Sequence, residues 1–570
     1  MKIQVTFPPI KGISLSDLIV LVILFAIISL VFFLGKEWKG DLRSVASISL
    51  EYKYLPYYVI QSVSRIGIAY ILSLIFSIGY GYLAKKNKIT ETILISLLDI
   101  LQSIPVLSFL PGVLLAMISL FPNKRIGVEL ASIILIFTGQ VWNMAFSYYN
   151  SISTIPRDIL EVAKIHKFSK FYRFIKIDLP FSAIGLVWNS MMSVAGGWFF
   201  LMACEMFVIK DRDFRLPGIG SFIQMAANEG DLQKVFIGLL VMVIIIVFLD
   251  ILIWRPLVVW SQKFRFDTVQ SEEEKESFVL NILRESKLLE KIWDGVESRI
   301  DKINCYLVNK KKQDTDSIKK SPVKIFFISA LLIGLLFLVL KGGITAFDML
   351  SKITSQDFVL LIKAGGLSLL RTFGAIAIAS IWTVPLGVMI GMKPKVANIL
   401  QPVIQIAASI PATALFPIII YFLLKIGGGL GFGSVFLMLL GTQWYLLFNV
   451  IAGASSIPQD LKDIADLYKI KGLRKWKVLI LPSIFPYLVT GLITATGGAW
   501  NASIVSEYVI FGGEVQKTLG LGSLISESSA SGNFSMLFAS TLLMSLIVVT
   551  LNRFVWKRMF LLAEEKFRLD

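Results

Sequence analysis

The chain carries few side chains suited to covalent chemistry, and their spacing gives that chemistry no partners. The one histidine, His166, lies in a basic stretch, and Cys204 and Cys305 are the only cysteines, so neither a Cys/His metal site nor a disulfide framework is expected. No Ser/His/Asp set has a usable spacing, and no G-x-x-x-x-G-K-[ST] phosphate loop is present, so nucleotide hydrolysis must come from another polypeptide. What remains are ionisable and hydroxyl groups in apolar runs, and these come in pairs. Arg65 and Arg371 stand 306 residues apart, as do Ser103 and Ser409, each serine two residues before a proline. Glu205 and Glu507 stand 302 apart, each seven residues after Trp198 or Trp500.

Ionisable groups within membrane segments are costly and often mark a pathway. For the two arginines two readings are open: guanidinium groups that attract and pass an anion, or interfacial side chains snorkelling to lipid headgroups. The serines offer hydroxyls, or backbone groups freed by the following proline, to a polar substrate; alternatively each hydroxyl satisfies its own kink. A spacing of seven puts Glu and Trp on one helix face, beside Gly196, Gly197, Gly497 and Gly498, which admit close helix contact. The carboxylates could also pair with a loop Lys or Arg, and the tryptophans could be interfacial anchors. Asp99 and Asp250 have no acidic counterparts and receive no shared role.

The elements that must position these groups are membrane spans. At 570 residues, 55% hydrophobic and 12% aromatic, with a mean hydropathy of +0.74, the chain is polytopic and not a soluble globule. Its net charge of +17 would suggest nucleic acid in a soluble protein. Here basic loops on the cytoplasmic side of a bilayer explain it, with the amino terminus on that side. Leu18–Leu34 reads as a retained span, not a cleaved signal. Further spans are expected near 59–84, 93–120 (broken by Pro105 and Pro111), 127–149, 181–208 and 235–254.

The second half repeats this order. Trp142, Gly218, Gly220 and Gly230 recur 302 residues later as Trp444, Gly520, Gly522 and Gly532, and Ser62 and Gly81 recur 306 later as Ser368 and Gly387. An even number of spans per copy makes the repeat parallel. The fold class is therefore all-α and polytopic, with about twelve transmembrane helices in two six-helix units. Between the units, a capping-box spacing at Ser271 and Glu274 and apolar residues at Leu289, Ile292, Val296, Ile300, Ile303 and Leu307 predict an amphipathic helix in a charged linker.

One polar, basic loop occurs in both halves: IPRDILEVAKIHKFSKFYRFIKIDLP over 155–180 and IPQDLKDIADLYKIKGLRKWKVLILP over 457–482. Pro156 and Pro458 suit a first helical turn, and Asp158 and Asp460 put negative charge near the helix N-terminus. Leu179-Pro180 and Leu481-Pro482 are expected to break the helix and restart the chain toward the bilayer. An acidic residue (Glu161, Asp463), a hydrophobic residue, an alanine (Ala163, Ala465) and a basic stretch ending in Leu-Pro resemble the cytoplasmic coupling loop of ABC importer permeases. The Ile-Pro-x-Asp lead-in and the Gly-x-Gly after the fifth span resemble the nitrate/sulfonate/taurine type. Where that family usually has Gly six residues after the acid, this chain has Lys167 and Lys469.

The resemblance implies a tandem fusion, with permease domains at 1–260 and 325–570 joined by a cytoplasmic linker at 261–324. It implies ATPase coupling through Pro156, Asp158, Glu161, Ala163, Lys167, Pro180, Pro458, Asp460, Asp463, Ala465, Lys469 and Pro482. It also implies a translocation pathway with Glu205 and Glu507 as pore-side gates or binding-protein contacts, beside Trp198, Trp500, Arg65, Arg371, Ser103 and Ser409. The chain itself would bind no cofactor, metal or nucleic acid. ATP and Mg would sit on two separate ATPase subunits, and an extracytoplasmic solute-binding protein would deliver an oxyanion such as nitrate, a sulfonate, taurine or bicarbonate. The setting is a prokaryotic cytoplasmic membrane. An ion-gradient-driven secondary transporter and a channel or scaffold are the alternatives.

Overall fold

In a computed structural model of the chain the described residues are 15–38, 48–264, 277–313 and 340–566, apart from 123, 207, 210, 211 and 428, together with 334 and 337. Helices dominate because backbone polar groups in hydrocarbon must be satisfied within the chain. Among the described residues eight helices are long and apolar enough to cross a membrane. They are Tyr52–Ala84, Arg125–Ser153, Lys170–Glu205 and Leu232–Gln262, then Ser355–Gly391, Leu430–Ser455, Gly472–Ser506 and Phe534–Ala563. Two bent pairs, Lys88–Gln102 with Val106–Leu120 (83°) and Val403–Ser409 with Ala412–Lys425 (80°), raise the count to as many as ten. The first apolar run forms the helix Leu15–Trp38; the seventh expected span, after Lys324, lies largely outside the described residues, as do Ser271 and Glu274.

Both bends fall on the repeated Ser-Ile-Pro. Ile104 (ψ 128) and Ile410 (ψ 119) are extended, as a residue before proline prefers, and each ends a helix at Ser103 or Ser409. Ser409 Oγ donates to Gln405 O at 2.8 Å, so this hydroxyl serves its own helix end.

The Leu-Pro expectation is corrected. Leu179 (φ −68, ψ −50) and Leu481 (φ −59, ψ −46) are helical, and no break precedes Pro180 or Pro482. Instead a wide turn with i→i+5 bonding, Phe174–Asp178 or Trp476–Ile480, joins the loop to the span as one continuous helix. A proline lacks an N–H and crowds the carbonyl four residues back; widening the turn before it relieves both.

Within each half the long helix carrying the arginine packs on the two spans that follow it through small residues. Ser77 Oγ donates to Val141 O (3.0 Å), and a Cβ added at Gly81 would lie 2.7 Å from Tyr148. In the second half Ser455 Oγ donates to Gly391 O (3.2 Å), and a Cβ at Gly391 would lie 2.5 Å from Ile451 O. Close backbone approach lets van der Waals packing hold helices together where lipid supplies no hydrophobic drive.

The halves then interlock reciprocally. The turn Val106–Phe109 meets helix Leu481–Ser506, and helix Ala412–Lys425 meets helix Leu179–Glu205. Two antiparallel hairpins follow the long helices: Val208–Ile209 with Arg212–Asp213 (Val208 opposite Asp213), and Tyr508–Phe511 with Glu514–Lys517 (Tyr508 opposite Lys517). The second hairpin reaches across, since Gly512 N donates to Ala227 O (3.1 Å) and Gln224 Nε2 to Ile510 O (3.1 Å). One apolar core runs through both halves, from Ile66 and Trp198 to Leu361 and Trp500.

The linker contains two described helices, Phe278–Arg284, capped by Ser277, and Lys287–Gln313. The turn between them is tied to the first helix, because Asp17 Oδ1 accepts from Ser286 Oγ (2.7 Å) and Leu288 N (2.9 Å).

Gly391→Leu should force this helix pair apart and lower stability by about 1–3 kcal/mol, as overpacking does. Gly67→Leu, where an added Cβ meets nothing within 4 Å, should leave it unchanged. Thermal unfolding of both variants in detergent checks the contrast.

Candidate functional site

Two features recur in both halves: a buried ionic clasp at one end of the long helix that follows each loop, and the amphipathic loop at its other end. In the first clasp Arg65, Glu129 and Glu205 come from three different spans, and all three side chains are fully buried. Arg65 makes a forked pair with Glu129, Nε to Oε2 at 2.6 Å and Nη2 to Oε1 at 2.9 Å. Its Nη1 donates to Glu205 Oε1 (2.7 Å) and to Pro217 O (2.9 Å). Arg125, four residues before Glu129 on the same helix, donates to Glu129 Oε1 at 3.0 Å. Two cations therefore face two carboxylates, the balance that buried charge requires.

Glu205 also caps a helix outside its own. Its Oε2 accepts Gly220 N (2.8 Å) at the start of helix Ile219–Asn228, where the helix dipole favours an anion. Ser62 bridges the two, donating to Glu205 Oε1 (2.6 Å) and accepting from Ile219 N (3.0 Å). The Gly-x-Gly motif follows from this: a Cβ at Gly218 would sit 2.2 Å from the Glu205 carboxylate.

The second clasp repeats the frame with fewer charges. Glu507 accepts from Ser368 Oγ (2.8 Å), Gly522 N (2.9 Å) and Arg371 Nη1 (3.0 Å), and Ser368 Oγ accepts from Leu521 N (2.8 Å). A Cβ at Gly520 would lie 2.2 Å from Glu507. No carboxylate stands in the place of Glu129. Arg371 Nε donates to Gly431 O (3.2 Å), Nη1 to Leu519 O (2.7 Å) and Nη2 to Thr518 Oγ1 (2.9 Å).

Arg65 is buried and paired, so it does not snorkel in this structure; it and the partly exposed Arg371 are clasp members. Glu205 and Glu507 pair with those span arginines and cap the outer helices, not with loop cations. Trp198 and Trp500 are buried in the core, which excludes them as interfacial anchors in this structure. The small residues beside them do admit contact. A Cβ at Gly197 would lie 2.3 Å from Gln140 and one at Gly498 would lie 3.0 Å from Tyr445, although one at Gly497 would meet nothing within 4 Å. Glu129 escaped the sequence analysis because the repeat holds no counterpart; Arg125-x-x-x-Glu129 was its only local signal.

The loops are near copies. Pro156 and Pro458 (ψ 142 and 141) are the residues just before helices Arg157–Ile165 and Gln459–Leu467, not their first turns, and Asp158 and Asp460 lie in those first turns. Ala163 and Ala465 are buried. Each helix ends in the same double closure: Phe168 N bonds Ala163 O and Lys167 N bonds Lys164 O, as do Ile470 N with Ala465 O and Lys469 N with Asp466 O. That closure needs a left-handed residue one past the cap, and Lys167 and Lys469 both adopt φ 53 there. The departure from Gly therefore changes the residue and keeps the turn. His166 is the cap of the first helix. What sequence reasoning missed is the outer edge: Val162 (51% exposed) and Ile165 (74%) are matched, 302 residues on, by Ile464 (50%) and Leu467 (78%).

A family model described as "Binding-protein-dependent transport system inner membrane component" matches residues 69–253 and again 383–559. A nitrate import permease protein of Synechocystis sp. is 24% identical over 188 residues, 33% of this chain and 65% of that protein. A bicarbonate transport system permease protein of Synechococcus elongatus is 26% identical over 196 residues, 34% and 67%. A taurine transport system permease protein of Escherichia coli is 27% identical over 160 residues, 28% and 54%. The chain thus spans just under two thirds of the length of the nitrate relative that it matches.

Arg65→Met leaves two buried carboxylates with Arg125 alone beside them and should cost ~3–5 kcal/mol, whereas Arg371→Met leaves one carboxylate and should cost less. Thermal unfolding of the two variants gives the order. Lys167→Gly and Lys469→Gly should relieve the left-handed residue and slow amide exchange at the helix ends by about three- to fivefold, read by hydrogen–deuterium exchange of the loop peptides.

Proposed function

The chain belongs to the binding-protein-dependent transport system inner membrane component family, and from that premise we propose that it is the membrane-spanning subunit of an ATP-driven importer, with both permease domains in one polypeptide. The observation that carries this reading is the pair of short amphipathic helices, Arg157–Ile165 and Gln459–Leu467, each showing an apolar edge at matched positions. Apolar residues on a charged helix, turned away from the protein's own core, suit a groove on another protein. Two such helices call for two ATPase subunits, which supply the nucleotide chemistry that this chain's motifs do not.

The last part of each loop, from Lys170 or Gly472, is continuous with the long helix that ends at a clasp. ATP-driven closure of the two ATPase subunits would draw the loops together and tilt those helices, switching access from the cytoplasm to the outside; hydrolysis would reverse it. Such a switch requires contacts that differ between the two states. The outer helices and hairpins held by the clasps are the parts available to a solute-binding protein. The names of the relatives support a small oxyanion as cargo, in the nitrate, bicarbonate and taurine range. The domain limits 1–260 and 325–570 and a cytoplasmic linker fit the same reading, in a prokaryotic cytoplasmic membrane.

Replacing Glu161 and Asp463 together with Lys should leave the protein in the membrane, keep the ATPase active, and abolish ATP-dependent uptake into proteoliposomes. Unchanged uptake would count against docking at these helices.

A further inference from the structure

We propose that the linker helix Lys287–Gln313 and the first loop form one composite docking surface for an ATPase subunit, so that the two ATPase sites on this chain are unequal. The proposal rests on the coupling reading above and adds a partner surface to it.

The linker helix has a second stripe beside its apolar one. Glu290, Asp294, Glu297 and Asp301 are spaced four, three and four residues apart, which aligns four acids along one face. The first loop is basic, with Lys164, Lys167, Lys170, Arg173 and Lys176. The two meet. Lys176 pairs with Glu297, Tyr172 lies beside Asp301, and Ser169 N donates to Asn304 Oδ1 at 3.0 Å. Glu297, Ile300 and Asn304 are half-buried there, while Glu290 and Asp294 are exposed farther along the stripe.

The second loop differs at each of these places: Lys471 stands for Ser169, which bonds through its backbone N–H, Arg474 for Tyr172, and Val478, which carries no charge, for Lys176. It is braced from within instead, by Lys475 Nζ to Asp466 Oδ1 at 2.6 Å. The first loop cannot form that brace, because Arg173 and Lys164 occupy the two places and carry the same charge. Each loop thus has an ion pair of its own, Arg173 Nε to Asp178 Oδ1 (3.3 Å) in the first, and the first is held by the linker as well. The linker helix is in turn anchored through Ser286 and Leu288 to Asp17. An ATPase subunit seated on the first loop would meet an acidic helix beside the groove-filling edge, and one seated on the second would not. The first seat therefore favours an ATPase face with basic residues at its rim.

The test uses the full chain in nanodiscs and its purified ATPase, with binding resolved into two sites by titration. Unaltered protein should show two unequal sites. Lys176→Glu, and separately Glu297→Lys, should weaken one site on the order of fivefold and spare the other. The combined swap should restore it, and Lys302→Glu on another face of the helix should change neither site. Two equal sites in the unaltered protein, or a Lys176→Glu effect shared by both, would overturn the proposal while leaving the coupling reading intact. No binding at all would sink both. Should a charge variant misfold, Ser169→Cys with Asn304→Cys in a Cys305→Ser background gives an independent check. A disulfide that forms and leaves ATPase binding in place supports the composite surface; no disulfide, or one that blocks binding, refutes it.

Discussion

Charge buried between spans must be paired within the protein, and in this chain that requirement decides which elements move together. Glu205 ends one long helix, draws in Arg65 and caps the outer helix Ile219–Asn228; Glu507 does the same for Leu521–Ser531. Breaking such a contact leaves an uncompensated ion, so the outer helix travels with the span that holds it. Because the helix beginning at Lys170 runs to Glu205, 36 residues or about 54 Å, one element joins the end of the loop to the clasp.

The halves share this arrangement and differ in how tightly it is held. The first clasp balances two cations against two carboxylates, whereas the second uses backbone carbonyls and Thr518 where Glu129 would stand. The loops differ too, since the first is braced by the linker in addition to its own ion pair. A duplicated unit fused into one chain is free to drift like this, because each half always meets the other and never a copy of itself.

The repeat, the loops and the paired Arg and Glu residues were legible because duplication prints them twice. The left-handed Lys167 and Lys469 show why a motif's residue and its conformation must be separated: the turn persists without its glycine. Glu129 was hidden by the same logic, since a residue without a counterpart looks incidental. The depth of Arg65 could not be read either, because a long side chain near a span's end reaches lipid headgroups or protein acids equally well. Leu-Pro misled for a local reason. The preference before proline is a bias and not a prohibition, and the wide turn relieves the separate clash with the carbonyl four residues back, so the helix continues through Leu179 and Leu481. The linker's apolar period was plain, but its acidic stripe acquires meaning only beside the basic loop it touches.

Those wide turns have a geometric consequence. Each accommodates one residue more than an ordinary turn, so everything ahead of Phe174 or Trp476 is out of phase with the span behind it by about 100°. The direction in which Val162 and Ile165, or Ile464 and Leu467, face is therefore set by the widening of that turn as well as by the loop sequence. The same residues wound as an ordinary helix would instead swing the handle by about 100° toward a different neighbour.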